Sequence, residues 1–464
     1  MNLINILSFF IIGTIPILFA AVQPWIWSWY GGLMIVAYTL SLWTVADPIV
    51  SIRFTLPGTL VALFFVWSLF LCLPAPYALI SFLSPERANL LSQASTLTGG
   101  APVWEPVGYA FRPSLAWWVF LLALALFYRV MRRLCADRAT LKRLVFVMIG
   151  IGLLEAAYGL IQSLVPSLGV LWVDYILEYV GTARGTFINR NSFAAFIGMI
   201  WPMALAVTLA MTDRARSLRD ALGSDHLNRQ AIMALGLIVL LLALIFTRSR
   251  GGILSGLAGF LAFSILVRPG MKNRTRQTRW LLGGIAALLL VYTAAIGVEP
   301  ILVRFLKIAD DSGSRVDIWR DSWQLVKDHP PGIGLRNYED VFQVYNRSLA
   351  TDKTVVHAHN DYLQVLAETG WIGFSSIVGA FFIFLVSAFR RIRRLDFHRD
   401  PLRPYLAVGA FSGLVSISVH SLFDFNLQIP ANCVYFVVLL AILSACTPAQ
   451  KTIDVEHRTS NFEF

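Results

Sequence analysis

The sequence predicts an all-α integral membrane fold with about 12 transmembrane helices and one large folded loop toward the C-terminal end. Three observations carry that expectation. The 464-residue chain is 57% hydrophobic and 14% charged, with a mean hydropathy of +0.67, whereas soluble domains are about one quarter charged. Apolar stretches of roughly 20 residues, the length that crosses a bilayer as a helix, recur along it. Lysine and arginine gather in short connections, where the positive-inside rule places them.

The expected spans run near 3–22, 29–47, 56–74, 114–131, 144–165, 191–211, 230–247, 252–267, 281–297, 371–389, 404–422 and 430–446. No Lys or Arg precedes Leu3, so the first apolar run reads as a membrane helix and not as a cleaved signal peptide. Basic clusters follow spans four, six, eight and ten. They are Arg132, Arg133, Arg138, Lys142 and Arg143; then Arg214, Arg216, Arg219 and Arg229; then Arg268, Lys272, Arg274, Arg276 and Arg279; then Arg390, Arg391, Arg393, Arg394, Arg399 and Arg403. Each cluster follows an even-numbered span, which puts both termini in the cytoplasm. The formal net charge of +11 is accounted for by these loops, and no basic domain suited to nucleic acid stands among them. Cys72, Cys135, Cys433 and Cys446 have no metal-ligand or CxxC spacing and read as small apolar packing residues.

Three segments lie on the opposite, extracytoplasmic side. Residues 75–113 carry Pro and Ser without a clear signal. Residues 166–190 lead into Gly181-Thr-Ala-Arg-Gly-Thr-Phe-Ile-Asn-Arg-Asn191. Loop 298–370 is the longest polar stretch, and a connection of that length signals function or disorder. Its aromatics and helix signals favour folding. Ser314 to Asp328 reads as an amphipathic helix with Val316, Trp319, Trp323 and Val326 as its apolar stripe, stopped by Pro330-Pro331. A second helix opens at Asp361, where Asp361 and Gln364 fit a capping box, and closes at Gly370.

The densest polar cluster is Val356-His-Ala-His-Asn-Asp-Tyr-Leu-Gln364. His357 and His359 stand just before a helix N-terminus, whose dipole disfavours the imidazolium form. A neutral imidazole accepts a proton near physiological pH, so either histidine suits a general base; both also suit capping or packing in a structured loop. The His-x-His spacing lacks the further ligands of a zinc site. Arginines form a second constellation. Thr247-Arg-Ser-Arg-Gly-Gly252 is a very short turn between apolar spans, carrying Arg248 and Arg250, and Arg315 and Arg190 lie on the same side. Several guanidinium groups around one pocket suit a phosphate or diphosphate, although arginines at a membrane interface also snorkel. Asp424, in the turn His420 to Pro430, either orients a histidine or arginine across the pocket or is a hydrated loop carboxylate. Walker A, GxGxxG and GxSxG patterns are missing from the sequence, so no nucleotide cofactor is expected.

The chain resembles the O-antigen ligase and O-antigen polymerase superfamily of bacterial envelopes. The matching segments are Arg248-Ser-Arg-Gly-Gly252, Ser314-Arg-Val-Asp-Ile-Trp319, His329-Pro-Pro-Gly-Ile-Gly334 and His357-Ala-His-Asn-Asp-Tyr-Leu-Gln364 with Glu368-Thr-Gly-Trp-Ile-Gly373. Similarity of this kind covers about Gly181 to Pro430. The implied organisation is N-terminal membrane helices over 1–180, a catalytic membrane domain over 181–447 that includes loop 298–370, and a cytoplasmic tail, 448–464.

The resemblance implies a metal-independent, inverting glycosyltransferase of the membrane C-type architecture, working without cofactor on glycans carried by undecaprenyl diphosphate. His359 matches the superfamily's catalytic histidine, paired with Asn360, and Arg250 and Arg315 match its diphosphate-facing arginines. His357 is a second catalytic candidate, Arg248 and Arg190 are further diphosphate-binding candidates, and Asn360 and Asp424 stand in support. A ligase would use lipid A-core as acceptor, and a polymerase a second lipid-linked repeat unit of O-antigen or exopolysaccharide. A transporter of the same lipid-linked glycans is the contrasting class. Transporters place charges in mid-span, whereas these candidates cluster in loops.

Overall fold

The computed structural model describes residues 3–43, 55–100, 104–165, 167–171, 181–212, 225–268, 283, 284, 287, 315–347, 354–397 and 401–448. All of the expected span 281–297 but 283, 284 and 287, parts 298–314 (with Ser314) and 348–353 of the long loop, and most of the tail lie outside these residues. So do Arg214, Arg216, Arg219, Lys272, Arg274, Arg276, Arg279 and Arg399.

Apolar runs become helices wherever they are described. The helices are α1 (Leu3–Thr14), α2 (Pro24–Trp43), α3 (Leu56–Cys72), α4 (Tyr77–Leu83), α5 (Pro85–Thr98), α6 (Phe111–Leu134), α7 (Arg138–Leu164) and α8 (Arg190–Thr212). They continue with α9 (Asp225–Phe246), α10 (Arg250–Val267), α11 (Arg315–Asp328), α12 (Tyr338–Tyr345), α13 (Asp361–Ile392), α14 (Leu402–His420) and α15 (Pro430–Cys446). Among the described residues, 6 helices are long and apolar enough to cross a membrane: α6, α7, α8, α10, α13 and α14. The first expected span, 3–22, is broken: α1 stops at Thr14, and a 3-10 turn at Phe19–Ala21 follows.

Helix α8 is the axis of the bundle, buried throughout its apolar window, and α7, α9, α10, α14 and α15 pack around it. Its closest neighbour is α14, through Gly409 and Gly413. A Cβ at Gly409 would lie 2.8 Å from the Pro202 carbonyl oxygen, and one at Gly413 2.8 Å from that of Met199. Two glycines four apart let helix backbones touch where lipid offers no hydrophobic drive to association.

Over one end of the bundle sits a small folded cap. Helix α11 buries Ile318, Ser322, Leu325 and Val326 against Tyr338 and Phe342 of α12 and Leu366 and Ala367 of α13. This shifts the expected stripe: Val326 is in the core, but Trp323 is 43% exposed and Ile318 and Leu325 take the inward positions. The described residues of segment 75–113 are folded too. Strand β1 (Pro74–Pro76) pairs antiparallel with β2 (Trp104–Pro106), Ala75 opposite Glu105. His329 ties this hairpin region to the cap, with Ser84 Oγ 3.0 Å from Nδ1 and the Tyr109 and Tyr345 hydroxyls 3.2 and 3.1 Å from Nε2.

Helix α13 opens at Asp361 as expected, but the capping side chain is Asn360, whose amide oxygen accepts the Leu363 N–H at 3.1 Å. Asp361 instead accepts the Leu427 N–H at 2.9 Å. At Gly370 the backbone turns to φ 61° and ψ −172°, so α13 is a short outer leg followed by a membrane-length leg. Gly332, at φ 100°, lies back to back with Gly370, and a Cβ on either would collide with the other's backbone segment.

Candidate functional site

The turn after α14, residues 420–425, is the meeting point of four helix N-termini. Asn191, in the first turn of α8, donates from Nδ2 to Asp424 Oδ2 at 2.6 Å. Arg315, first residue of α11, donates from Nη2 to the same oxygen at 3.2 Å and from Nη1 to the Phe423 carbonyl. The α13 N-terminus is held there by the Asp361 N–H bonding the Ser421 carbonyl at 2.9 Å. In α10, a Cβ on Gly251 would stand 3.0 Å from His420 Cδ2 and 3.6 Å from Phe423 Cβ. Each helix start contributes the positive end of a dipole. Four of them facing one turn make a region prepared for negative charge.

Asp424 is the centre of this region and is 1% exposed. Oδ1 lies 3.1 Å from His359 Nδ1 and accepts the Phe425 N–H at 3.0 Å. Burial pushes its pKa up. The His359 hydrogen bond and the Arg315 charge outweigh that and bring it to about 2. An ionised carboxylate only accepts. The hydrogen therefore sits on His359 Nδ1, and a neutral ring keeps its lone pair on Nε2. His359 itself adopts φ 49°, a left-handed backbone that costs a non-glycine residue about 1 kcal/mol or more, and its side chain is 30% exposed.

His357 is placed differently. Its ring stacks on Phe425 with centroids 4.3 Å apart, while His359 meets the same phenyl edge-on at 5.0 Å. Its Nδ1 lies 3.3 Å from Gln364 Oε1, and Gln364 Nε2 donates to Glu368 at 3.0 Å. Burial first, then the Arg336 charge and the neighbouring His359, hold the His357 pKa down to about 3. It is a neutral ring facing an amide, without a carboxylate partner of its own.

The predicted residues therefore fall into four groups. Asp424 is in direct contact with both His359 and Arg315, with His357 joined through Phe425. Arg190 opens α8 and Arg250 opens α10, so both sit at helix starts that reach the 420–425 turn. Arg248 occupies the turn before α10 at φ 51° and is exposed. That turn is braced by Ser249, which accepts the Gly252 N–H at 3.1 Å, and by the Ala183 N–H bonding the Phe246 carbonyl at 2.9 Å. Asn360 caps α13 and does not bond Asp424. Sequence reasoning missed Asn191 and Phe425, which lie inside quoted segments but carry no signal of their own, and the Gln364–Glu368 support behind His357.

Residues 235–378 match the family model described as O-antigen ligase. The match runs from α9 into α13 and includes Arg248, Arg250, Arg315, His357 and His359, while Arg190 and Asp424 lie outside it. No curated protein sequence gives a significant match to the chain. The chain is thus a multi-pass membrane protein carrying a domain of the O-antigen ligase-related superfamily.

Proposed function

We propose that this protein is a glycosyltransferase that moves a glycan from undecaprenyl diphosphate to an acceptor hydroxyl, as an O-antigen ligase at the periplasmic face of the bacterial inner membrane. The observation that carries the reading is the convergence of four helix N-termini, three of them opened or flanked by Arg190, Arg248, Arg250 and Arg315, on an Asp424–His359 pair. A diphosphate is the leaving group such a region is built to hold, since planar guanidinium forks pair with phosphate oxygens.

In this reaction His359 Nε2 takes the proton of the acceptor hydroxyl, and the hydroxyl oxygen attacks the anomeric carbon from the face opposite the diphosphate. The bond from that carbon to the diphosphate oxygen breaks with inversion, and its electron pair goes to the diphosphate. Arg250 and Arg315 meet the growing charge, work that needs donors already in place. Asp424 holds the imidazole in the required tautomer and steadies the imidazolium that forms, the role a carboxylate plays behind other histidine bases. The protein's own groups supply base and electrophilic stabilisation, so the reaction proceeds without metal.

The test uses purified protein in liposomes with EDTA and an undecaprenyl-diphosphate glycan. One arm adds lipid A-core and the other a second lipid-linked unit, and wild type is compared with His359→Ala. Transfer to lipid A-core that requires His359 is the expected result. Chain lengthening without lipid A-core would make the protein a polymerase of the same superfamily. No product from authentic substrates in either arm would remove the transferase reading and bring transport of lipid-linked glycans forward.

A further inference from the structure

Helix α11 starts in the candidate site and leads away from it, carrying Arg315, Trp319 and Trp323 at intervals of four residues. That spacing lines them along one face. Trp319 is anchored, its indole N–H donating to the Ala358 carbonyl at 3.0 Å. Trp323 is 43% exposed and lies edge-on to Trp371, itself 48% exposed, with ring centroids 6.1 Å apart and planes at 89°. Trp371 is the first residue after the Gly370 break. Two indoles that hold each other in place and still show half their surface are poorly explained as core.

The surroundings say what kind of surface they face. Beside Trp323, the outer side of α11 carries Arg320, Gln324 and Lys327, all exposed. Arg320 pairs with Asp317 at 3.1 Å, and Gln324 donates to Asp328 at 2.9 Å. Charges in that number are expensive to place in hydrocarbon, so the outer side of α11 suits a polar surface, with Trp323 beside the start of the apolar leg of α13. A flat aromatic face ringed by hydrogen-bonding groups suits a ligand with C–H-rich faces and a rim of hydroxyls: the electron-rich ring attracts the C–H groups, and the polar neighbours serve the hydroxyls.

We infer that Trp323 and Trp371 form a saccharide-binding platform for the glycan chain of the lipid-linked donor, continuous with the diphosphate-facing Arg315. This rests on the glycan-transfer reading and adds a subsite to it. Eight residues of helix separate Arg315 from Trp323, about 12 Å along the axis. The platform therefore holds sugars remote from the bond being broken, where binding energy positions the chain without taking part in the chemistry.

The experiment measures donor affinity in the full-length protein, in nanodiscs, on a His359→Ala background that keeps the donor intact. The probes are undecaprenyl-diphosphate carriers bearing one sugar or several repeat units of the host's own surface polysaccharide, and the same oligosaccharides released from lipid. Affinity is expected to rise with glycan length. Trp323→Ala and Trp371→Ala should each remove about tenfold of that gain, leave the one-sugar donor unchanged, and weaken the free oligosaccharide equally. Trp323→Phe should restore most of the loss. Equal weakening of short and long donors would assign the pair to anchoring or folding and overturn the platform, as would affinities unaffected by either substitution or an oligosaccharide that does not bind wild type. Turnover is read separately, by restoring His359. Absence of transfer with His359 in place, alongside an intact length series, would refute the transferase reading alone.

Discussion

Asp424→Asn is the most informative single change, because it keeps the shape of the side chain and removes its charge. The carboxylate receives Asn191, Arg315, the Phe425 N–H and His359 while 1% exposed. Lowering a carboxyl from its ordinary pKa of about 3.9 to about 2 corresponds to roughly 2.5 kcal/mol of favourable interaction with the ionised form. An amide surrenders that, and its NH2 competes to donate toward Nδ1, which favours the tautomer with the hydrogen on Nε2. A base whose lone pair points away from the acceptor is idle, so kcat should fall about 100- to 10,000-fold, the range a general base contributes. Initial rates of glycan transfer at saturating donor, with thermal stability measured in parallel, read both effects. The double variant Asp424→Asn/His359→Ala should be no slower than His359→Ala, because the two residues act as one unit. An unchanged kcat in a stable Asp424→Asn protein, or a double variant showing multiplied losses, would refute the orienting role.

Further expectations follow from the same contacts. Arg315→Lys keeps the charge but loses the fork, so the KM for donor should rise about tenfold with a smaller change in kcat; an unaltered KM would separate Arg315 from the diphosphate. His329 is held at about 4 by burial, below the usual value near 6.5, so the unfolded chain takes up a proton that the folded protein refuses. Stability is therefore fully present above pH 6.5 and declines toward pH 4 by roughly 3 kcal/mol. A Tm series across that window should show the loss, His329→Gln should flatten it, and a Tm that rises on acidification would contradict the assignment. Gly409→Leu drives a side chain at the Pro202 carbonyl and should cost about 1–3 kcal/mol, read as a lower Tm; an unaltered Tm would mean that α14 and α8 are not closely packed there.

The membrane helices were legible because a span needs an unbroken apolar run, and such runs are visible in α6, α8 or α14 without knowledge of their neighbours. His359, Arg250 and Arg315 were legible as candidates because charged and titratable residues are rare in this chain and stand out at the ends of apolar runs. The inward face of α11 was not. Val316, Trp319 and Trp323 are as apolar as Ile318 and Leu325, and what chooses between the two faces is docking on α12, where Ser322 and the Tyr338 hydroxyl lie 2.6 Å apart. The Asn360 cap turned on a backbone angle that spacing does not encode. Asp424 could be suspected but not connected, since Asn191 and Arg315 lie 233 and 109 positions away. The pairing of Pro74–Pro76 with Trp104–Pro106 runs against the ordinary avoidance of proline in strands, which is why segment 75–113 offered no strand signal.

Gly332 and Gly370 share one consequence for how this sequence can change over time. A Cβ at Gly332 would fall on the main chain of Glu368 to Gly370 and one at Gly370 on that of Pro330 and Pro331, and each holds a positive φ, so a side chain at either site is opposed by both strain and collision. No substitution at one glycine makes room for a side chain at the other, because the obstacle in each case is main chain. The Pro-Pro-Gly-Ile-Gly stretch and the break in α13 are therefore constrained together: variants of this protein can drift in the helices on either side, but this joint passes to descendants as a single piece or not at all.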